Sequence, residues 1–208
     1  DFKAIAFDMD STLIGIECID EIADAVGKKA EVAAITEAAM RGEITDFKDS
    51  LRRRVALLQG VPAESLQEVY DQRLKINPGA PELINAAKAA GLQTLLVSGG
   101  FTFFADRVRE RLGMHEAHSN TLEIEGGLLT GRVLGDIVDG EAKKQHLLRL
   151  CERIGCDPRQ SIAVGDGAND LLMMGVAGLS VAYHAKPKVR EQAMVAINDG
   201  GLDRVLAL

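Results

Sequence analysis

Positive charge is in deficit along this chain: 24 Lys and Arg stand against 31 Asp and Glu, a net charge of −7 over 208 residues. That balance argues against a general nucleic-acid binder, which needs a basic face. It leaves an anionic small molecule open as a ligand, because local cations override the global field inside a pocket. Cysteine is scarce. Cys18, Cys151 and Cys156 are odd in number and fall in no metal-ligand spacing, so reduced thiols in a cytoplasmic protein are expected. No stretch approaches the ~18–20 apolar residues needed to span a bilayer. Internal repeats and low-complexity segments are missing too. The chain opens on Asp1 rather than Met, and a longer polypeptide with something upstream is the expectation. What is present is ordinary for a globular protein, with 47% hydrophobic and 26% charged residues. Its length suits one sizeable core, or one core with a smaller attached unit.

The most informative segment is Phe7-Asp8-Met9-Asp10-Ser11-Thr12-Leu13. It follows the apolar run Ala4–Phe7, which reads as a short buried strand. Two carboxylates at a strand end repel one another unless something neutralises them, and a bound divalent cation does so economically. With Mg²⁺ present, one carboxylate can attack phosphorus while its neighbour handles a proton.

Further apolar, β-branched runs read as strands of a parallel sheet: Gln93–Val97, Ser161–Gly165, Leu179–Tyr183 and Met194–Asn198. Helical stretches separate most of them, at Pro81–Ala90, Thr102–Leu112, Glu141–Ile154, Asp170–Ala177 and Lys186–Ala193. Alternating strand and helix with short connections marks an α/β fold. The alternation breaks twice. Between Gly15 and Asn77 about four helical segments follow without a strand: Cys18–Val26, Lys29–Arg41, Asp46–Leu58 and Ala63–Leu74. This block reads as a lid (15–77) inserted into an α/β core (1–14 and 78–208), with Gly15 and Asn77-Pro78-Gly79 as stems. The second break is a β-hairpin, with Thr121–Glu125 and Leu128–Leu134 flanking Gly126-Gly127.

Ligands of open α/β sheets lie beyond the carboxyl ends of the strands. Three strand ends carry polar groups there: Asp8 and Asp10, then Ser98-Gly99-Gly100, then Asp166-Gly167-Ala168-Asn169-Asp170. Asp8 is the expected nucleophile, and Asp10 the general acid and base that protonates the leaving alkoxide and then activates water. A carboxylate rather than a threonine two residues after the nucleophile favours rapid turnover. Ser98 and the Gly99 amide are expected to donate to phosphate. Lys143 is expected to hold a phosphate oxygen and neutralise Asp8; Lys144 competes for that role, since helix neighbours point about 100° apart. Asp166 is the expected metal ligand, with Asp170 supporting it from behind or through water. Asn169 is placed on the phosphate side or as a brace of the loop. His115 and His118 have a metal-compatible spacing but no third ligand, and a helix end or loop is expected for them. Met173-Met174 is expected to pack a helix on the sheet.

In this order, D-M-D-S-T-L, V-S-G-G-F, Lys143 and G-D-G-A-N-D resemble the haloacid dehalogenase superfamily. Glu17, the stretch from Gly42 to Val55 and the later A-K-P are similar to the branch that dephosphorylates phosphoserine. The resemblance covers essentially the whole chain. It implies a parallel, Rossmann-like α/β sheet flanked by helices, with an inserted helical cap and a small β-hairpin. It further implies that Asp8 is phosphorylated and binds Mg²⁺, that Asp10 adds its main-chain carbonyl to the metal, and that Asp166 completes the protein ligands. Ser98, Gly99 and Lys143 would hold phosphate. Glu17 would take the substrate ammonium group and Arg54 its carboxylate. Spacing does not choose among Arg52, Arg53 and Arg54; family position selects Arg54. Met40 and Phe47 would be apolar lid walls that exclude water. In bacterial members a further domain often precedes this unit.

The activity implied is Mg²⁺-dependent hydrolysis of O-phospho-L-serine, the last step of serine synthesis. Two alternatives stand beside it. One is a related monophosphatase or phosphotransferase; the other is a non-catalytic phosphoaccepting switch, which would need neither lid nor Asp10. The expected partner is a small phosphorylated molecule, with no nucleic acid and no membrane; a homodimer is compatible with the sequence.

Overall fold

The computed structural model describes residues 1–40 and 43–208, with Met40 described for its backbone only. In chain order the elements are β1 (Ala4–Phe7), α1 (Cys18–Ala25), α2 (Lys29–Met40), α3 (Phe47–Ala56), α4 (Glu64–Gln72) and α5 (Ala80–Ala89). Then come β2 (Gln93–Phe101), α6 (Thr102–Leu112), β3 (Glu116–Glu125), β4 (Leu128–Leu134) and α7 (Gly140–Ile154). The chain finishes with β5 (Ser161–Gly165), α8 (Leu171–Val176), β6 (Leu179–Tyr183), α9 (Pro187–Gln192) and β7 (Val195–Ile197). Seven strands form one sheet in the order β4-β3-β2-β1-β5-β6-β7, parallel except for the antiparallel edge pair β3–β4. This is the mostly parallel, helix-flanked α/β architecture expected.

Alternation along β1 divides the core. Ile5 and Phe7 pack on one face with Leu83, Ile84, Phe104 and Val108 from α5 and α6. Ala4 and Ala6 face the other side, where Leu147, Leu150, Met173 and Met174 from α7 and α8 meet them. Side chains two apart share a face, and the small alanines let α7 approach closely. Met173 and Met174 thus pack a helix on the sheet, as expected.

Two strands exceed their sequence signal. β2 does not stop at Val97 but continues to Phe101 through a register shift against β3 between Val97 and Phe101. Such bulges bend a strand and re-aim its side chains. β3 begins at Glu116 rather than Thr121, and its first half pairs parallel with β2, so the hairpin extends the main sheet. Residues 116–119 are half-buried at that edge and show no apolar run. At the other edge β7 is shorter than expected, spanning Val195–Ile197.

The helices α1–α4 form the block between β1 and α5, with no strand among its described residues. Its entry and exit are laced together. The Asn77 side-chain amide donates to the Thr12 and Ile14 carbonyls at 2.8 and 3.1 Å, and the Gly15 amide donates to Lys75 O at 3.0 Å. The far end is tied to the hairpin: Gly60 and Ala63 amides donate to Leu129 O and Gly127 O, both at 2.8 Å.

Candidate active site

The central strand β1 has β2 on one side and β5 on the other, with Phe7 in register with Leu96 and Val164. All three strands point the same way, so the residues that follow them emerge side by side. From β1 the chain steps to β2 on one side and, after β4 and α7, returns to add β5 on the other, which makes this end of the strands a switch point of the sheet. Here a cavity of about 300 Å³ opens between the sheet and the helical block. Asp8, Asp10, Ser98, Gly99, Asp166 and Asn169 line it from below, and Glu17, Phe47 and Arg54 from the helices.

Beneath the cavity floor lies Lys143, fully buried in the first turn of α7. Its ammonium is 3.1 Å from Asp8 Oδ1 and 2.8 Å from Asp170 Oδ1. Burial opposes its charge, but Asp170 and Asp8 override that penalty and hold it above the ordinary lysine value. Lys144, the rival candidate, pairs instead with Glu141 at 3.3 Å on the half-exposed side of the helix. Asp8 Oδ1 also accepts the Met9 amide at 2.7 Å. Burial and then Asp170 raise Asp8 well above a normal carboxylate, outweighing Lys143.

Asp166 is held on Oδ1 by the Thr12 hydroxyl at 3.0 Å. Asp170 is engaged on both oxygens: Oδ1 takes Lys143, and Oδ2 accepts the Asp166 and Gly167 amides, each at 3.1 Å. Oxygens of Asp8, Asp166 and Asp170 lie within 4.8 Å of one another. Buried oxygen donors of this number and charge suit a hard divalent cation, and the triad fits a metal site. Asp10 turns Oδ2 toward the Cys18 amide at 3.3 Å, while its buried Oδ1 has no partner among the described residues. Burial pushes Asp10 up to about 6, against the lowering effect of its Cys18 contacts.

Ser98 Oγ accepts the Gly100 amide at 2.8 Å, which leaves its proton free to donate. Gly99 sits in close approach: a Cβ there would lie 2.7 Å from Phe47 Cζ, so the ring would have to shift, and at an ordinary contact of 3.6 Å from Asn169 Nδ2. Glu17 precedes α1 and accepts the Ser11 hydroxyl at 3.0 Å. Although its surface is open to the cavity, the surrounding walls take it out of bulk water, and burial followed by Asp10 lifts it to about 8. Arg54 donates from Nε to Ser50 O at 3.3 Å, and burial lowers its guanidinium while Asp20 supports it. Of the three neighbouring arginines it alone lines the cavity; Arg52 is exposed and Arg53 pairs with Asp49 at 3.0 Å.

The Met40 side chain lies outside the described residues. Two expectations are corrected: Asp170 ends a 3₁₀ turn, Ala168–Asp170, before α8, and His118 stands in β3 rather than in a helix end or loop. The His118 ring bonds Glu116 at 2.9 Å and stacks on His146 with centroids 3.9 Å apart. His115 accepts the Thr94 amide at 3.0 Å. Sequence reasoning gave no role to Thr12, Asp20 or Lys186, though Thr12 sits in the first motif and Lys186 in the A-K-P segment. Asn120 was missed outright: it donates to Gly99 O at 3.0 Å and accepts the Val138 amide at 2.7 Å, bracing the β2 bulge.

This sheet, switch point and acidic floor match a known group. The family model for haloacid dehalogenase-like hydrolases matches residues 2–178, and the chain belongs to that family. A protein named phosphoserine phosphatase from Polaromonas sp. (strain JS666) is 69% identical over 212 residues, covering 100% of this chain and 90% of that one. A solved structure described as a phospho-aspartyl intermediate analogue of phosphoserine phosphatase superposes with a TM-score of 0.93 at 39% identity, covering 100% of this chain and 98% of that one. A substrate-bound phosphoserine phosphatase complex gives the same TM-score, identity and coverage.

Proposed function

We propose that this chain hydrolyses O-phospho-L-serine to L-serine and phosphate through a phosphoryl group carried on Asp8, the last step of serine synthesis. One observation carries the substrate assignment: a single cavity has Asp8 and Asp10 at its floor and Glu17 and Arg54 on its walls. The phosphate belongs at the floor, the ammonium at Glu17 and the carboxylate at Arg54. A glutamate beside a phosphate site is unfavourable unless the ligand brings a cation to it, and burial, followed by the charges of Asp10 and Asp166, already raises Glu17 to about 8.

Mg²⁺ is the metal of this reading, held by Asp8, Asp166 and the Asp10 carbonyl; when bound it offsets the repulsion between carboxylate and phosphate. Asp170 supports from behind, because both of its oxygens are already committed. Asp8 Oδ1 is anchored by Met9 and Lys143, which leaves Oδ2 to attack phosphorus. As the P–O bond to the serine oxygen breaks, Asp10 passes its proton to that oxygen. Asp10 then takes a proton from water, whose oxygen attacks phosphorus and releases Asp8 as a free carboxylate. Asp10 Oδ1, buried without a partner among the described residues, is the atom suited to both transfers. Ser98, the Gly99 amide and Lys143 grip the phosphate oxygens, with Asn169 at its side. The helical block, residues 15–77, acts as a lid on the core of 1–14 and 78–208, and Phe47 with Met40 keeps water out.

Among the described residues no helix is long and apolar enough to cross a membrane; the three cysteines are free, which supports a cytoplasmic setting. The test is phosphate release with Mg²⁺ from a panel containing phosphoserine, phosphoethanolamine, phosphoglycolate and sugar phosphates. Phosphoserine is expected to lead in kcat/KM; if it ranks far below the others, the substrate assignment is wrong.

A further inference from the structure

Lys186 is a cation on the cavity wall that the reaction above leaves unused. It comes from a fourth strand end. After β6 the chain turns at His184, whose φ of 44° is unusual for a residue with a Cβ. The His184 amide donates to Ile197 O at 2.8 Å, and its ring bonds Gly200 O at 2.9 Å. Lys186 then starts α9 by backbone contacts alone: its amide donates to Asp166 O at 3.4 Å, and its carbonyl accepts Val189 and Arg190, each at 3.0 Å. The side chain is therefore not needed to build the turn. Its ammonium stands 3.6 Å from Asp166 Oδ2, the oxygen that Thr12 does not hold, and remains 52% exposed. Its charge also acts on Glu17 across the same wall.

We propose that Lys186 is a positioning residue that sets the electrostatic balance of the cavity between a divalent cation and a phosphate-bearing ligand. It lies beside Asp166 and offsets part of its charge, and its field reaches Glu17. Removing it makes the cavity more negative, so a cation binds more tightly and an anion more weakly. These opposite signs separate an electrostatic role from a structural one, which would weaken both.

The inference rests on the metal reading of Asp8 and Asp166. Calorimetric titration of the full chain with Mg²⁺ alone, then with inorganic phosphate at saturating Mg²⁺, tests it. For Lys186→Met the Kd for Mg²⁺ falls and that for phosphate rises, each by roughly two- to fivefold, as suits a half-exposed pair. Lys186→Arg stays close to the parent. Weakening of both ligands, or a shift in neither, overturns the inference; Lys186→Gln repeats the test should the methionine variant fold poorly. Asp166→Asn is the control for the underlying reading: if it binds Mg²⁺ like the parent, the metal assignment fails, whatever Lys186→Met does.

Discussion

In the proposed reading, Glu17, just before α1, and Arg54, in α3, divide the work of recognising a zwitterion in the cavity that both line. Arg54→Ala should cut kcat/KM for phosphoserine by roughly 10–100-fold, the worth of a charge-assisted contact, while phosphoethanolamine, which has no carboxylate, loses far less. Steady-state kinetics with both esters checks this, and equal losses would remove the carboxylate role. Glu17 makes a different prediction, in the absence of metal and substrate. Its folded value of about 8 lies above its ordinary 4.5, so the folded protein binds its proton more tightly than the unfolded chain does. The associated stability is fully present below 4.5 and is lost as pH rises through about 8. Glu17→Gln removes this loss. Its Tm should therefore match the parent in acid and exceed it increasingly toward about pH 9, read by thermal denaturation at each pH. A constant difference across that range would show that Glu17 is not desolvated.

At the scale of the elements, Gly99 of β2 and Phe47 of α3 lie close together across the cavity. A methyl on Gly99 would meet the Phe47 ring at 2.7 Å, so Gly99→Ala should push the ring away and lower kcat/KM. Adding Phe47→Ala should relieve the clash, and a double-mutant cycle should give a coupling of roughly 0.5–3 kcal/mol; additive losses would mean that the two do not touch during turnover. This contact also shows how far sequence could reach. The strands β1, β5 and β6 carry their own apolar signal, bounded by turns, and their limits were legible to the residue. The candidate motif residues were legible because polar groups recur at three strand ends, where ligands of open α/β sheets lie. The β2 extension and the first half of β3 were not, since Ser98–Gly100 reads as a turn and 116–119 as a polar loop; only pairing across the sheet makes strands of them. Asn120 and the side of α3 that Arg54 occupies were likewise set by tertiary contact. An isolated asparagine or a run of three arginines carries no such information.

For the whole molecule, acids outnumber bases around the cavity, and burial raises Asp8, Asp10, Asp166 and Glu17 together. Folding concentrates negative charge that a divalent cation can relieve. Mg²⁺ at about a hundred times its Kd should raise Tm by roughly 5–10 °C, reversed by chelator and blunted in Asp166→Asn. A Tm indifferent to Mg²⁺ would detach the metal from the fold. In the proposed reading, the sheet that gathers three strand ends, the buried Lys143 and the Asp10 oxygen without a partner among the described residues all serve one event, transfer of the phosphoryl group to Asp8. Mass spectrometry of Asp10→Asn, quenched after mixing with phosphoserine and Mg²⁺, examines that event directly. The peptide bearing Asp8 should gain one phosphoryl group, and the parallel Asp8→Asn protein should gain none and release no phosphate. Continued phosphate release by Asp8→Asn, or a phosphoryl group on any other residue, would contradict the role of Asp8.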